Sequence, residues 1–136
     1  MRFIRKAREP KGLAEVRCSV TTDLSTASHA RSAYDQLAKA DVRKALAEEQ
    51  GELCAFCMRR ISITAVDDRG EPLMKIAHRT PIAQDPSKTL DWANLLGSCD
   101  GGQRSRGRYC TCDLAHKDKP LEVDPTSYES MAKVRY

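Results

Sequence analysis

Five of the six cysteines fall between residues 54 and 112, as Cys54-Ala-Phe-Cys57, then Cys99, then Cys110-Thr-Cys112. Two thiolates separated by two residues reach one tetrahedral zinc from a tight turn, and thiolates from a distant loop complete a closed four-ligand structural site. Cys54 and Cys57 form the first half of such a site, and Cys99 with either Cys112 or Cys110 forms the second. No other feature constrains the fold as much, because one point must tie together segments far apart in the chain. A disulfide framework is the competing use of these residues. The basic opening Met1-Arg-Phe-Ile-Arg-Lys lacks the apolar run of a secretory signal, so reduced thiols in a cytoplasmic protein are expected. Cys18 stands apart and reads as a free thiol or a small buried apolar side chain.

With 136 residues, 40% hydrophobic but only 5% aromatic, the chain supports one modest core that a metal staple would help to hold. No apolar stretch is long enough for a transmembrane helix, so no membrane contact is expected. The formal charge of +4 permits nucleic-acid binding without requiring it. Its distribution says more: Arg2, Arg5, Lys6, Arg8, Lys11 and Arg17 face only Glu9 and Glu15 near the start, and Arg104, Arg106 and Arg108 crowd the loop before the last cysteines. Either cluster suits phosphate, although a charge run alone more often marks a solvated surface.

Residues 1–20 read as a basic extended arm, because Pro10 and Gly12 interrupt them and their apolar residues show no helical period. Residues 21–51 read as helical. Thr22-Asp23 or Ser25 can cap a helix through Ala30, Ala33, Tyr34 and Leu37, and Asp41 can cap a second with Val42, Ala45 and Leu46 on one face, stopped by Gly51. Residues 52–120 form the expected zinc-bound core. Ile61, Ile63 and Ala65 alternate with polar residues, Asp67-Asp68-Arg69-Gly70 makes a turn, and Leu73-Met74-Lys75-Ile76 returns, predicting a β-hairpin that ends on His78. A polar loop from Thr80 to Thr89, a helical turn at Asp91–Asn94, a glycine-rich loop and a short helix from Asp113 follow. Residues 121–136 form a C-terminal segment. The expected class is α+β: N-terminal helices, then two strands and a helix framed by zinc.

Cys54-x-x-Cys57, a strand closing on His78, Pro81 three residues on, Asn94-Leu95 and the final Cys112-Asp113 pair together resemble the ββα-metal nucleases called HNH endonucleases. The opening Met1-Arg-Phe-Ile-Arg-Lys, the run Glu49 to Met58 and the run Leu90 to Gly102 are similar, more specifically, to the HNH subunit of retron-associated and Septu-type antiphage systems. The resemblance spans nearly the whole chain. Such proteins continue well past the position of Tyr136, so it implies a C-terminal part cut short relative to the family.

The resemblance implies a function and a set of roles. His78 becomes the general base that takes a proton from water, a task suited to an imidazole near its ordinary pKa of about 6.5. Asn94 becomes the amide that holds the loop carrying the base and fixes the imidazole by hydrogen bonding. Asp113 takes the third motif position, where a carboxylate can ligate Mg²⁺ or Mn²⁺. His116, three residues on, would share a helical face with Asp113, either as a second ligand to that ion or in contact with phosphate. The family pattern also selects Cys112 over Cys110 as fourth zinc ligand. Ala77 departs from the pattern, since an Asp or Glu there would help to hold the catalytic ion.

The implied substrate is nucleic acid, DNA or RNA, contacted through its backbone, because few aromatics are available for base stacking: most read as core or zinc-knuckle packing, and Tyr109 is the one most expected to be exposed. The implied partners are an ABC-like ATPase subunit and, in a retron, a reverse transcriptase with its RNA–DNA product. The alternative from a different class is a zinc-ribbon-like module that binds nucleic acid or protein without cleaving, which Ala77 favours.

Overall fold

In a computed structural model, the structure describes residues 1–21, 23–102 and 110–134. Arg104, Arg106, Arg108 and Tyr109 therefore lie outside the described residues. Three helices precede a two-stranded antiparallel sheet, and two short helices follow: α1 (Lys11–Ser19), α2 (Ala27–Asp35), α3 (Lys39–Gln50), β1 (Lys75–His78), β2 (Leu95–Ser98), α4 (Cys112–His116) and α5 (Tyr128–Met131). Single 3₁₀ turns at Pro86–Lys88 and Trp92–Asn94 lie between the strands. The expected α+β class holds at this level.

The N-terminal 20 residues are not one extended arm, because α1 occupies their second half. Pro10 does not break this helix but stands at its N-cap, where a missing N–H costs nothing. Leu13, Val16 and Val20 lie along one face, with Leu13 fully buried, a helical spacing that the intervening charges mask. Residues 1–10 are extended but firmly held. Arg2 donates to the Gln50 carbonyl at 2.9 Å, Ile4 N–H to the Pro125 carbonyl at 2.7 Å, and Trp92 Nε1–H to the Ala7 carbonyl at 2.8 Å. Lys6 pairs with the fully buried Glu49 carboxylate, donates to the Leu95 carbonyl and lies 4.0 Å above the Trp92 ring.

Thr26, rather than Asp23 or Ser25, caps α2 by accepting from His29 N–H, and Thr22 lies outside the described residues. In α3 Asp41 sits in the first turn, where a carboxylate favours the positive end of the helix, and Gly51 closes the helix in the left-handed region. Val42, Leu46 and Gln50 recur every four residues and are buried.

The strand pairing differs from the predicted hairpin. The turn at Asp67–Gly70 forms, with the Asp67 carboxylate accepting from Arg69 and Glu71 N–H, but only an isolated bridge, Val66 to Pro72, follows from it. Pro72 has no N–H to extend a ladder, and Ile63 and Val66 are exposed, so alternation there reports no buried face. Instead β1 pairs with β2, from Lys75 opposite Ser98 to His78 opposite Leu95. All four residues of β2 are buried. Leu95 enters the larger cluster with Leu13, Leu46, Leu90 and Trp92, whereas Leu96 enters a second with Ile4, Ala55 and Ala77. A strand covered on both faces reads as a continuous apolar run without alternation.

Gln50 fastens α3 to this strand. Its Oε1 accepts from Gly97 N–H at 2.7 Å, and its Nε2 donates to the Gly97 carbonyl at 2.9 Å and the Leu53 carbonyl at 2.8 Å. A Cβ at Gly97 would lie 2.8 Å from Met74 Cε and 3.1 Å from Gln50 Nε2. Met74 can yield, but the pinned Gln50 amide cannot without losing bonds. Gly97→Ala is expected to destabilise the protein by about 1–3 kcal/mol in denaturant titration, and an unchanged midpoint would contradict this packing.

Candidate functional site

The first cysteine pair sits on a tight loop closed by the Leu53–Arg60 bridge and by Cys54 N–H donating to the Arg59 carbonyl. Met58, directly after Cys57, adopts a left-handed φ of 63°, which turns the chain back on itself. Cys99 follows β2 immediately, and Cys112 opens α4 with a φ of 56°. Gly101 makes the second loop possible: Thr111 N–H donates to its carbonyl, and a Cβ there would lie 2.5 Å from the Thr111 oxygen.

These two loops bring Cys54, Cys57, Cys99 and Cys112 together, with every pair of sulfurs within 4.8 Å. Measured separations are 3.8 Å for Cys54–Cys112, 3.8 Å for Cys57–Cys99 and 3.5 Å for Cys99–Cys112. A disulfide would hold its sulfurs at about 2.05 Å. A tetrahedral zinc with ligands at about 2.3 Å requires edges of about 3.8 Å, so the four thiols fit one such ion and leave no position open. Burial opposes ionisation of Cys54, but N–H groups of Cys57, Cys99 and Phe56 aimed at its sulfur bring its pKa down to about 7. Burial pushes Cys99 up to about 11 and Cys112 higher still, so a cation is needed to draw out the remaining thiolates. Cys110 is exposed and outside the cluster, which gives the fourth position to Cys112. Cys18 is exposed rather than buried.

His78 ends β1. Its Nε2 lies 3.1 Å from the Thr89 carbonyl, and since a carbonyl only accepts, Nε2 carries the proton and Nδ1 is left to receive one. Burial lowers the imidazole's pKa, partly offset by that bond, and the Tyr34 ring packs edge-on against it with centroids 5.1 Å apart. Asn94 is fully buried one residue before β2. Its Oδ1 accepts from Thr80 N–H at 2.7 Å, and its Nδ2 donates to the Thr80 and Lys88 carbonyls at 3.0 and 3.1 Å. Asn94 thus clamps both ends of the loop after His78 but makes no side-chain hydrogen bond to the imidazole. The clamped loop presents Thr89, whose carbonyl does.

His78 and Asp113 line one cleft of about 160 Å³, together with Arg31, Lys117 and Asp118. Burial raises the Asp113 pKa to about 6, and its carboxylate has no ion pair or side-chain hydrogen bond among the described residues. His116 does not line this cleft, although a shared helical face with Asp113 was expected. Its ring packs against Phe56 of the cysteine loop, 6.2 Å between centroids, with both ring nitrogens buried and without hydrogen-bond partners among the described residues. Apolar contact with the metal loop draws it away from Asp113. Among the described residues the four cysteines are the only cluster of three or more such ligand side chains. Ala77 is buried on the opposite face of β1 from His78, against Ile4 and Leu96.

Arg31, Tyr34, Thr89 and Asp118 were not foreseen in the sequence. Arg31 and Tyr34, three apart on α2, carry a recoverable signal, since such residues share a helical face; the Thr89 carbonyl, a backbone atom, carries none. The fold and site define a small mixed α and β protein with a four-cysteine centre able to hold a metal ion such as zinc. No protein-family model, curated protein or solved structure matches the chain. Among the described residues no helix is long and apolar enough to cross a membrane.

Proposed function

We propose that the chain is a metal-dependent HNH endonuclease, the effector nuclease of a retron- or Septu-type antiphage system. The observation that carries the proposal is the cleft in which His78, its Nε2 tied to the Thr89 carbonyl, stands with the carboxylate of Asp113, unpaired among the described residues. The order β1, β2, α4, with the histidine ending the first strand and the carboxylate on the helix, supports a ββα-metal core. The cysteine cluster supports a structural zinc outside the chemistry, because a closed site cannot activate water.

In this mechanism His78 Nδ1 takes a proton from water as the oxygen attacks phosphorus. The new P–O bond forms as the bond to the 3′ oxygen breaks, and the leaving oxygen gains a proton from solvent. Mg²⁺ or Mn²⁺, when bound at Asp113 with Asp118 nearby, supplies charge neutralisation at the phosphate; such ions need only one or two carboxylates, completed by water and substrate oxygens. Asn94 keeps the loop, and through Thr89 the imidazole, in register. DNA or RNA serves as substrate, an ABC-like ATPase subunit as partner, and a reverse transcriptase with its RNA–DNA product where the system is a retron. These partners rest on the resemblance, and a cytoplasmic location rests on thiols that stay free of disulfides.

A zinc-ribbon-like binding module is the second reading, favoured by Ala77, which leaves β1 without a neighbouring carboxylate. Incubation of the purified protein with labelled DNA and RNA, with Mg²⁺ or Mn²⁺ and with the ATPase partner present, separates them. Cleavage is expected; binding without cleavage under every condition would establish the module instead.

A further inference from the structure

We infer that α2, α3 and β1 form a phosphate-gripping wall beside His78, which holds a nucleic-acid strand by its backbone and reads no bases. This rests on the nuclease proposal in that the wall leads to its cleft. A second cavity, of about 370 Å³, adjoins the first and shares Asp113 and Ile76 with it. Lys39, Arg43 and Lys75 line the second, as Arg31 and Lys117 line the first, so five cations border one continuous depression. Asp100, Asp113 and Asp118 are the acidic groups there, the last two beside His78.

The cations are available. Arg31, Lys75 and Lys117 make no ion pair or side-chain hydrogen bond among the described residues. Arg43 spends only its Nε, on the Met74 carbonyl at 3.0 Å, which anchors the arginine. Among the described residues Lys39 has one ion-pair partner, the exposed Asp35 at 3.2 Å, a contact of small worth. Concave placement separates this group from an ordinary charged face.

The aromatic rings nearby are taken. Lys39 Nζ lies 4.5 Å from the Tyr34 centroid, and the Tyr34 ring also packs against His78. Trp92 is covered by Lys6. Among the described residues no open ring at the wall is left to stack a base, so affinity is expected to come from phosphates and to fall with salt.

The test is fluorescence anisotropy of labelled single-stranded and duplex oligonucleotides across a salt series, in zinc-containing buffer without Mg²⁺ or Mn²⁺. A wall variant carries Arg31→Gln, Lys39→Gln and Lys75→Gln; a control variant carries Lys11→Gln, Lys44→Gln and Lys133→Gln, exposed residues that line neither cavity, with the same loss of charge. The wall variant is expected to flatten the slope of log affinity against log salt by about 2 on single strands and nearly 3 on duplex, with roughly 100-fold weaker binding at 0.1 M salt. The control variant should stay close to wild type. Equal effects of the two variants, no effect of either, or a wild type that binds no nucleic acid would overturn the inference. Arg31→Gln and Lys75→Gln alone, each expected to change the slope by about 0.7–0.9, serve if the triple variant fails to fold. Loss of binding in the wall variant beside a wild type that never cleaves would sink the nuclease proposal and leave the wall standing; cleavage with undiminished wall-variant binding would do the reverse.

Discussion

Stripped of metal by a strong chelator, the protein is expected to lose its cooperative melting transition and most of its helical circular dichroism, and to regain both when zinc is returned. Cys57 and Cys99 are 42 residues apart in sequence, Cys54 and Cys112 are 58 apart, and the sulfurs meet at one point. Zinc bound by thiolates contributes about 10–16 kcal/mol in zinc-finger peptides, comparable to or larger than the entire stability of most domains, about 5–15 kcal/mol. Without the ion, four close thiols remain, two of which burial holds protonated. Cys99→Ser should act in the same direction. Elemental analysis should find one zinc per chain, and a zinc-free preparation that melts at the same temperature would remove the metal from the fold.

His78→Ala is expected to lower the rate of phosphodiester hydrolysis by about 10²–10⁴-fold while the protein remains folded. The stability cost is about 1–3 kcal/mol, from the buried Thr89 carbonyl left without its donor and from the lost packing against the Tyr34 ring. Burial lowers the imidazole's pKa, so the base form persists into mildly acidic solution and the acid limb of kcat/KM should fall below pH 6.5, the ordinary value. The linkage has the same sign. As pH drops through about 6.5 the unfolded chain takes up this proton before the folded one, so stability is full above 6.5 and declines below it. Cleavage by the variant at the wild-type rate would remove His78 from the chemistry.

What was legible in the sequence is what depends on local spacing. Cys54-x-x-Cys57 announces its turn, Gly51 its helix end, and Asp91 to Asn94 its single helical turn. The β1–β2 pairing was not legible, because the alternation after Ile61 offered a nearer partner, and the fault in it lies in one missing N–H at Pro72 and in exposed Ile63 and Val66. Helix α1 was hidden by a proline that starts it instead of breaking it. In the cleft, the positions of His78 and Asp113 could be read from motif order, but the departure of His116 toward Phe56 could not, because it depends on a contact between segments far apart.

Asn94 stands at the entrance of β2 and Cys99 at its exit, so one four-residue strand joins the clamp on the loop after His78 to the metal frame. During synthesis His78 therefore leaves the ribosome with neither support. Its clamp comes 16 residues later, and the last thiolate and the carboxylate beside it only at Cys112 and Asp113. A nascent chain holding the histidine alone has no organised centre, because His78 and Asp113 meet only once the four-cysteine frame is complete.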